Sequence, residues 1–210
     1  MPRTRIDPWA DAVQHLTNAD PRWQAIVERV GPCALRPRRD RFGTLVRAIV
    51  GQQISTKAAA SIDAKVRALV GDPHEPTALL SAGEEKLRSC GLSGVKARYV
   101  LNLSEAVASD RLPLKRIGAW EDEAIIERMT EIKGIGRWTA EMFLIFALNR
   151  PDVLPVLDLG VRVGIRDFHG LDELPHPKHC PPFAESWKPY RTVAMWYLWR
   201  NIDALRAKPV

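Results

Sequence analysis

Cysteine is scarce in this sequence, and the little there is makes no pattern. Cys33, Cys90 and Cys180 are far apart and odd in number, which excludes a disulfide framework and a C-x-x-C metal knuckle. Long apolar runs are missing too. The start, "MPRTRIDPWADAV", lacks the hydrophobic stretch of a signal peptide, and "FLIFAL" is too short to span a bilayer and follows Glu141 closely. No His/Cys/Asp cluster has ligand spacing, so no catalytic metal is expected. Period-two alternation bounded by turns is absent, and so is any solenoid-type repeat of about 20–50 residues. These absences leave a soluble, reduced, intracellular protein, placed in the cytoplasm and with no membrane partner.

What is present is helix. Hydrophobic content of 46% is that of a globular chain, and 210 residues fit one domain or two small lobes. The formal net charge of +6 suits a polyanionic partner, although arginine supplies much of it. "PRWQAIVERVG" begins after Asp20, a good N-cap, and stops at Gly31. "RFGTLVRAIVGQQ" puts Phe42, Leu45, Val46, Ile49 and Val50 on one face. "STKAAASIDAKVRALVG" opens on Ser55 and closes on Gly71, with Ala59, Ile62, Val66 and Leu69 inward. "GVKARYVLNLSEAVASD" and "WEDEAIIERMTEI" repeat the pattern, the second with acids in its first turn, where the helix dipole favours them. "PFAESWKPYRTVAMWYLWRNIDAL" is broken by Pro189. Linkers are short and proline-rich: "GDPHEPT", "NRPDVLPVLD" and "HGLDELPHPKHCPP". The fold class is therefore all-α.

The stretch "IKGIGRWTAEMFLIFAL", Ile132 to Leu148, carries the densest chemistry. A helix ending near Glu131 meets a helix starting near Arg137 across Lys133-Gly134-Ile135-Gly136. Both glycines are expected at positive φ, leaving nothing between the amides and a ligand. Ile135 tucks into the core, and Arg137 adds charge. One reading is a plain C-cap and turn. The other is an anion site at a helix N-terminus, with a DNA phosphate as natural occupant. Apolar Ile132 before the turn and small Thr139-Ala140 after it favour the second. Ten residues beyond that segment, Asp158 opens the next helix in "VLPVLDLGVRVG". As an N-cap it would be held rigidly, a role compatible with chemistry at the same carboxylate.

These two segments resemble the helix-hairpin-helix (HhH-GPD) DNA glycosylases. "RAIVGQQISTKAAASI" and "WKPYRTVAMWYLW" resemble the branch that removes alkylated purines, the 3-methyladenine DNA glycosylase II type. The resemblance covers roughly residues 40–205. It implies two helical lobes, residues 1–39 with 151–210 and residues 40–150, and an active site in the cleft between them. It implies that Asp158 is the catalytic carboxylate, stabilising positive charge that develops on deoxyribose, whereas Asp152 and Asp167 do not align with that position. Strand-cutting relatives place a lysine two after the second hairpin glycine, where this chain has Trp138, and other relatives carry four cysteines near the C-terminus. A monofunctional enzyme without lyase step or iron–sulfur cluster is therefore expected.

The resemblance places Gln53 at the wedge that fills the gap left by a flipped nucleotide, with Gln52 beside it. The residues alone leave open a simple exposed helix end. Trp138 and Trp199 match positions facing the base, and Met142 sits where some relatives carry an aromatic residue. Core packing is the competing role for a tryptophan, and it is preferred for Trp187 and Trp196. Lys133, Gly134, Ile135, Gly136, Arg137 and Thr139 would form the phosphate-binding hairpin. Main-chain carbonyls of Thr130, Ile132 and Ile135 could hold a structural Na+ or K+; no cofactor is required. His169, His176 and His179 are expected at the surface. The partner is double-stranded DNA carrying damaged bases, bound by a monomer. Another damaged base (etheno, deaminated or oxidised) and a catalytically silent DNA-binding protein are the alternatives.

Overall fold

In the computed structural model, residues 8–72 and 74–207 are described. Residues 1–7 of the N-terminal segment and Pro73 of "GDPHEPT" lie outside them. The described chain is all-α: ten α-helices and three short 3-10 segments, with no strand among the described residues. It divides into two compact units, Met1–Arg36 with Asn149–Val210, and Pro37–Leu148.

The first unit holds α1 (Ala10–Ala19), α2 (Arg22–Val30), α9 (Leu159–His169) and α10 (Arg191–Arg206). Asp20 does not occupy the cap position of α2. Pro21 does, and Asp20 instead accepts the Arg22 amide and side chain. The core is aromatic: Trp23 lies 4.5 Å from Phe168 and edge-on to Trp187 at 5.4 Å. Trp187 and Trp196 are buried. Pro189 separates a 3-10 segment, Pro181–Trp187, from α10. His169 departs from the surface position expected of it. It ends α9 half-buried, bonded to the Phe183 carbonyl and stacked on Trp187, and burial lowers its pKa.

The second unit holds α3 (Arg41–Gly51), α4 (Thr56–Val70), α5 (Pro76–Ser89), α6 (Gly94–Ala108), α7 (Asp122–Thr130) and α8 (Arg137–Phe146). Helix starts follow the capping residues: Asp40, Ser55 and Ser93 accept the amides of Gly43, Ala58 and Lys96. Helix α3 packs against α4, α6 and α8 through Leu45, Val46 and Ile49, all buried. Two expectations fail here. Leu69 is 39% exposed rather than inward; Asp63 takes that side of α4, paired to Arg67 at 2.8 Å and facing buried His74. "GDPHEPT" is also not wholly a linker, since Pro76 already begins α5. That helix escapes a periodic reading because Gly83, at φ +75, breaks it in the middle.

Candidate functional site

In the hairpin the structure separates the two glycines. Gly134 stands at φ +109 with the Tyr99 ring against it, and a Cβ there would lie 2.2 Å from Tyr99 Cγ. Gly136 does not have the expected positive φ. It is the N-cap of α8 at φ −97, ψ 174, an extended conformation open to any residue. Nothing lies within 4 Å of where its Cβ would be, so its lack of a side chain leaves the helix entrance open. Ile135 between them is buried and its amide donates to the Ile132 carbonyl at 3.0 Å. The first intrahelical bond of α8 runs from Ala140 to Gly136. The amides of Arg137, Trp138 and Thr139 therefore precede the ladder at the positive end of the helix dipole. Thr139 can contribute only that amide, because its side chain is buried.

One face of α6 supports this loop from behind, and the sequence reading did not anticipate it. Lys96 donates to the Val50 and Gln52 carbonyls at 2.8 and 2.6 Å. Tyr99 packs on Gly134, and Asn102 donates to the Lys133 carbonyl at 3.2 Å. The three residues are spaced by three, the interval that aligns side chains on one helix face; a polar stripe in "KARYVLN" was the available signal. Burial lowers the Lys96 pKa. The Gln52 side chain, expected beside the wedge, instead donates to the Gly134 carbonyl at 3.2 Å. It is a brace between the end of α3 and the hairpin. Gln53 is exposed, held at φ +56, a backbone state that costs a non-glycine residue energy. Only Gln53 of the pair is presented outward. Lys133 is exposed as well.

Arg137, expected to add charge beside the hairpin, is paired to two glutamates. Its Nη1 and Nη2 donate to both oxygens of Glu123 at 3.0 and 2.5 Å, and its Nε donates to Glu141 at 3.1 Å. Glu141 is 4% exposed, its second oxygen has no hydrogen-bond partner, and burial pushes its carboxyl up to about 7. Neither glutamate was anticipated; only Glu141, four residues after Arg137 on one helix, carried a spacing signal. Trp138 and Met142 lie on the same face of α8, the first half-buried and the second buried.

In the first unit, Asp158 is the N-cap of α9 as its residue type and position predict. One oxygen, Oδ1, accepts the Val161 amide at 2.9 Å and the Trp199 indole N–H at 3.0 Å. Trp199, expected at the base, thus has its N–H committed to the carboxylate. Gly160 makes that possible: a Cβ there would sit 2.9 Å from the Trp199 ring and 3.1 Å from Asp158 Oδ1. The loop before it is fastened to the start of α10. Asp152 forms a two-pronged pair with Arg191 at 2.6 and 2.9 Å, and the Val153 amide donates to the Thr192 hydroxyl at 3.0 Å. Leu157 and Leu159, exposed at 53% and 61%, flank Asp158. The arrangement offers one rigid carboxylate with apolar neighbours, suited to meeting positive charge. Among the described residues no group of three His, Cys, Asp or Glu side chains could hold a metal ion, and no helix is long and apolar enough to cross a membrane.

Comparison with known proteins gives a consistent set. The family model of HhH-GPD superfamily base excision DNA repair proteins matches residues 46–189. DNA-3-methyladenine glycosylase 1 of Schizosaccharomyces pombe is 37% identical over 193 residues, 89% of this chain and 85% of that protein. The S. pombe 3-methyladenine DNA glycosylase Mag1, solved in complex with abasic DNA, aligns with TM-score 0.82 at 36% identity, over 90% of this chain and 95% of that one. A crystal structure of DNA-3-methyladenine glycosidase from Bacillus halodurans aligns with TM-score 0.79 at 38% identity, over 90% and 88%.

Proposed function

The chain belongs to the HhH-GPD superfamily of base excision DNA repair proteins, and from that premise we propose that it is a monofunctional DNA glycosylase for alkylated purines. It hydrolyses the N-glycosidic bond of bases of the 3-methyladenine and 7-methylguanine type in double-stranded DNA and leaves an abasic site. The observation that carries the reading is Asp158, a carboxylate fixed by a backbone amide and an indole N–H on the same oxygen. As the C1′–N bond breaks, the bonding pair leaves with the base and positive charge builds on the sugar. A preorganised anion stabilises that charge where it develops. Water then adds at C1′ and loses a proton. An alkylated base already carries positive charge, so it departs readily and needs little acid catalysis.

The duplex is gripped by the α8 amides behind Gly136, a sequence-independent phosphate contact. Gln53 enters the stack when the nucleotide turns out, an exchange that offsets part of an unstacking cost of a few kcal/mol. Trp138 and Met142 line the base pocket, where an electron-rich ring attracts a cationic purine by about 0.5–2 kcal/mol. In the other unit, Trp199 holds Asp158 through its indole N–H. Trp138 stands where a Schiff-base lysine would be needed, so the reaction ends at base release. The carbonyls of Thr130, Ile132 and Ile135 are hard oxygen donors of the kind Na+ or K+ takes, with Ile132 shared by the Ile135 amide. The protein acts as an intracellular monomer. The test is chromatography of free bases after incubation with methylated duplex DNA and with duplexes carrying etheno, deaminated or oxidised bases. Release of 3-methyladenine or 7-methylguanine is expected; release from another duplex only, or from none, contradicts the reading.

A further inference from the structure

Arg137 opens α8 at its first position, where a cation meets the positive end of the helix dipole and is disfavoured. Beside a polyanion, an arginine there would be expected to swing outward and take a phosphate with its planar fork. The structure shows the opposite. The Nη1 and Nη2 groups are taken by Glu123 from α7, and Nε by Glu141 four residues along the same helix. Glu141 is held at a cost: it is buried and leaves one oxygen without a partner, a situation that destabilises folds by roughly 1–3 kcal/mol. Its hydrogen-bond partner among the described residues is Arg137. A buried carboxylate directly behind a DNA-gripping loop weakens the pull on phosphate, which a protein selected only for tight binding would not keep.

We propose that Glu123 and Glu141 clamp Arg137 away from the DNA backbone, so that the hairpin grips phosphate through main-chain amides alone and duplex affinity is held down. This rests on the reading of the hairpin as a phosphate site. A grip without the arginine charge is the easier one to release after base removal and while searching undamaged DNA. Glu123 is the adjustable member, since it is 65% exposed and its loss leaves the core intact. It acts through Arg137 and touches no substrate, so it is a positioning residue.

The test is the salt dependence of duplex affinity, measured with undamaged and abasic oligonucleotide duplexes for a double-mutant cycle. Glu123→Ala should free the guanidinium, tighten binding several-fold at low salt, and steepen the slope of log K against log salt by about 0.9, one further phosphate neutralised. Arg137→Gln should leave the wild-type slope unchanged, and Arg137→Gln combined with Glu141→Gln gives the same reading if an unpaired Glu141 harms folding. Glu123→Ala with Arg137→Gln should return to the wild-type slope. A flatter slope for Arg137→Gln alone would make the arginine a phosphate contact and overturn the clamp. So would a Glu123→Ala effect that survives without Arg137, since it would then be a general field effect. Gly136→Asp places a carboxylate in the open helix entrance and is expected to weaken binding to every duplex. If it does not, the phosphate site itself is misplaced and the clamp falls with it.

Discussion

Substituting Gly134 and Gly136 separately by alanine should give opposite results, although the two glycines are neighbours in one motif. A methyl group at Gly134 would meet Tyr99 at 2.2 Å from Cγ and 2.5 Å from Cβ. Those atoms are the root of the ring, which cannot swing aside without moving α6. The backbone adds its own cost, because φ +109 is a state that side-chain-bearing residues rarely adopt. Strain of roughly 1–3 kcal/mol from the dihedral and roughly 1–3 kcal/mol from overpacking gives a loss of about 2–6 kcal/mol. Gly136→Ala meets no atom within 4 Å and keeps φ −97, so it should change stability by about 0.5 kcal/mol or less. Urea unfolding of both variants measures this directly. Tyr99→Ala in the Gly134→Ala background removes the ring but keeps the Cβ at 2.5 Å, so it should restore only part of the packing loss and leave the dihedral part. A Gly134→Ala protein as stable as wild type, or a double variant with no recovery, would refute the reasoning.

Glu141 makes stability depend on pH with a defined sign. Its carboxyl is raised from an ordinary 4.5 to about 7 by burial, against the pull of Arg137. The folded state therefore keeps a proton that the unfolded state loses. This contribution is full below about pH 4.5 and is lost as pH rises to about 7, on the order of 3 kcal/mol. Glu141→Gln should remove that slope, and urea unfolding at several pH values in that window should show wild type and variant converging toward acid; parallel curves would contradict it. Gly160→Ala should push the Trp199 indole off Asp158, because its Cβ would sit 2.9 Å from the ring. Losing a hydrogen bond to a charged group is worth roughly 1.5–3 kcal/mol, so single-turnover base release should slow by about 10–150-fold with duplex binding unchanged. Equal losses of both would make Gly160 a matter of folding only.

The features legible in the sequence were those written in neighbouring residues. Ser55 and Asp158 announce helix starts because a cap acts over three residues, and the capped amides are found at Ala58 and Val161. The hairpin between α7 and α8 was legible for the same reason. Which glycine needs positive φ was not, because a G-x-G pattern has no direction; the Tyr99 ring on α6 decides it. Arg137 read as an anion-binding charge because its partner Glu123 is fourteen residues back, on another helix. Gln52 and Gln53 look equivalent in a string, yet one turns to the Gly134 carbonyl and the other outward. Trp199 and Asp158, forty-one residues apart, meet only because Gly160 has no side chain.

Asp158→Asn tests the central claim most directly, because the substitution removes charge and little else. The remaining amide oxygen can still accept from Val161 and Trp199, as Oδ1 does at 2.9 and 3.0 Å. Base release from methylated duplex DNA, measured beside duplex affinity for both proteins, should show wild-type turnover of 3-methyladenine or 7-methylguanine. The variant should bind as tightly and release nothing. A variant that still releases base at the wild-type rate would leave Asp158 as a helix cap only and move the chemistry to another residue.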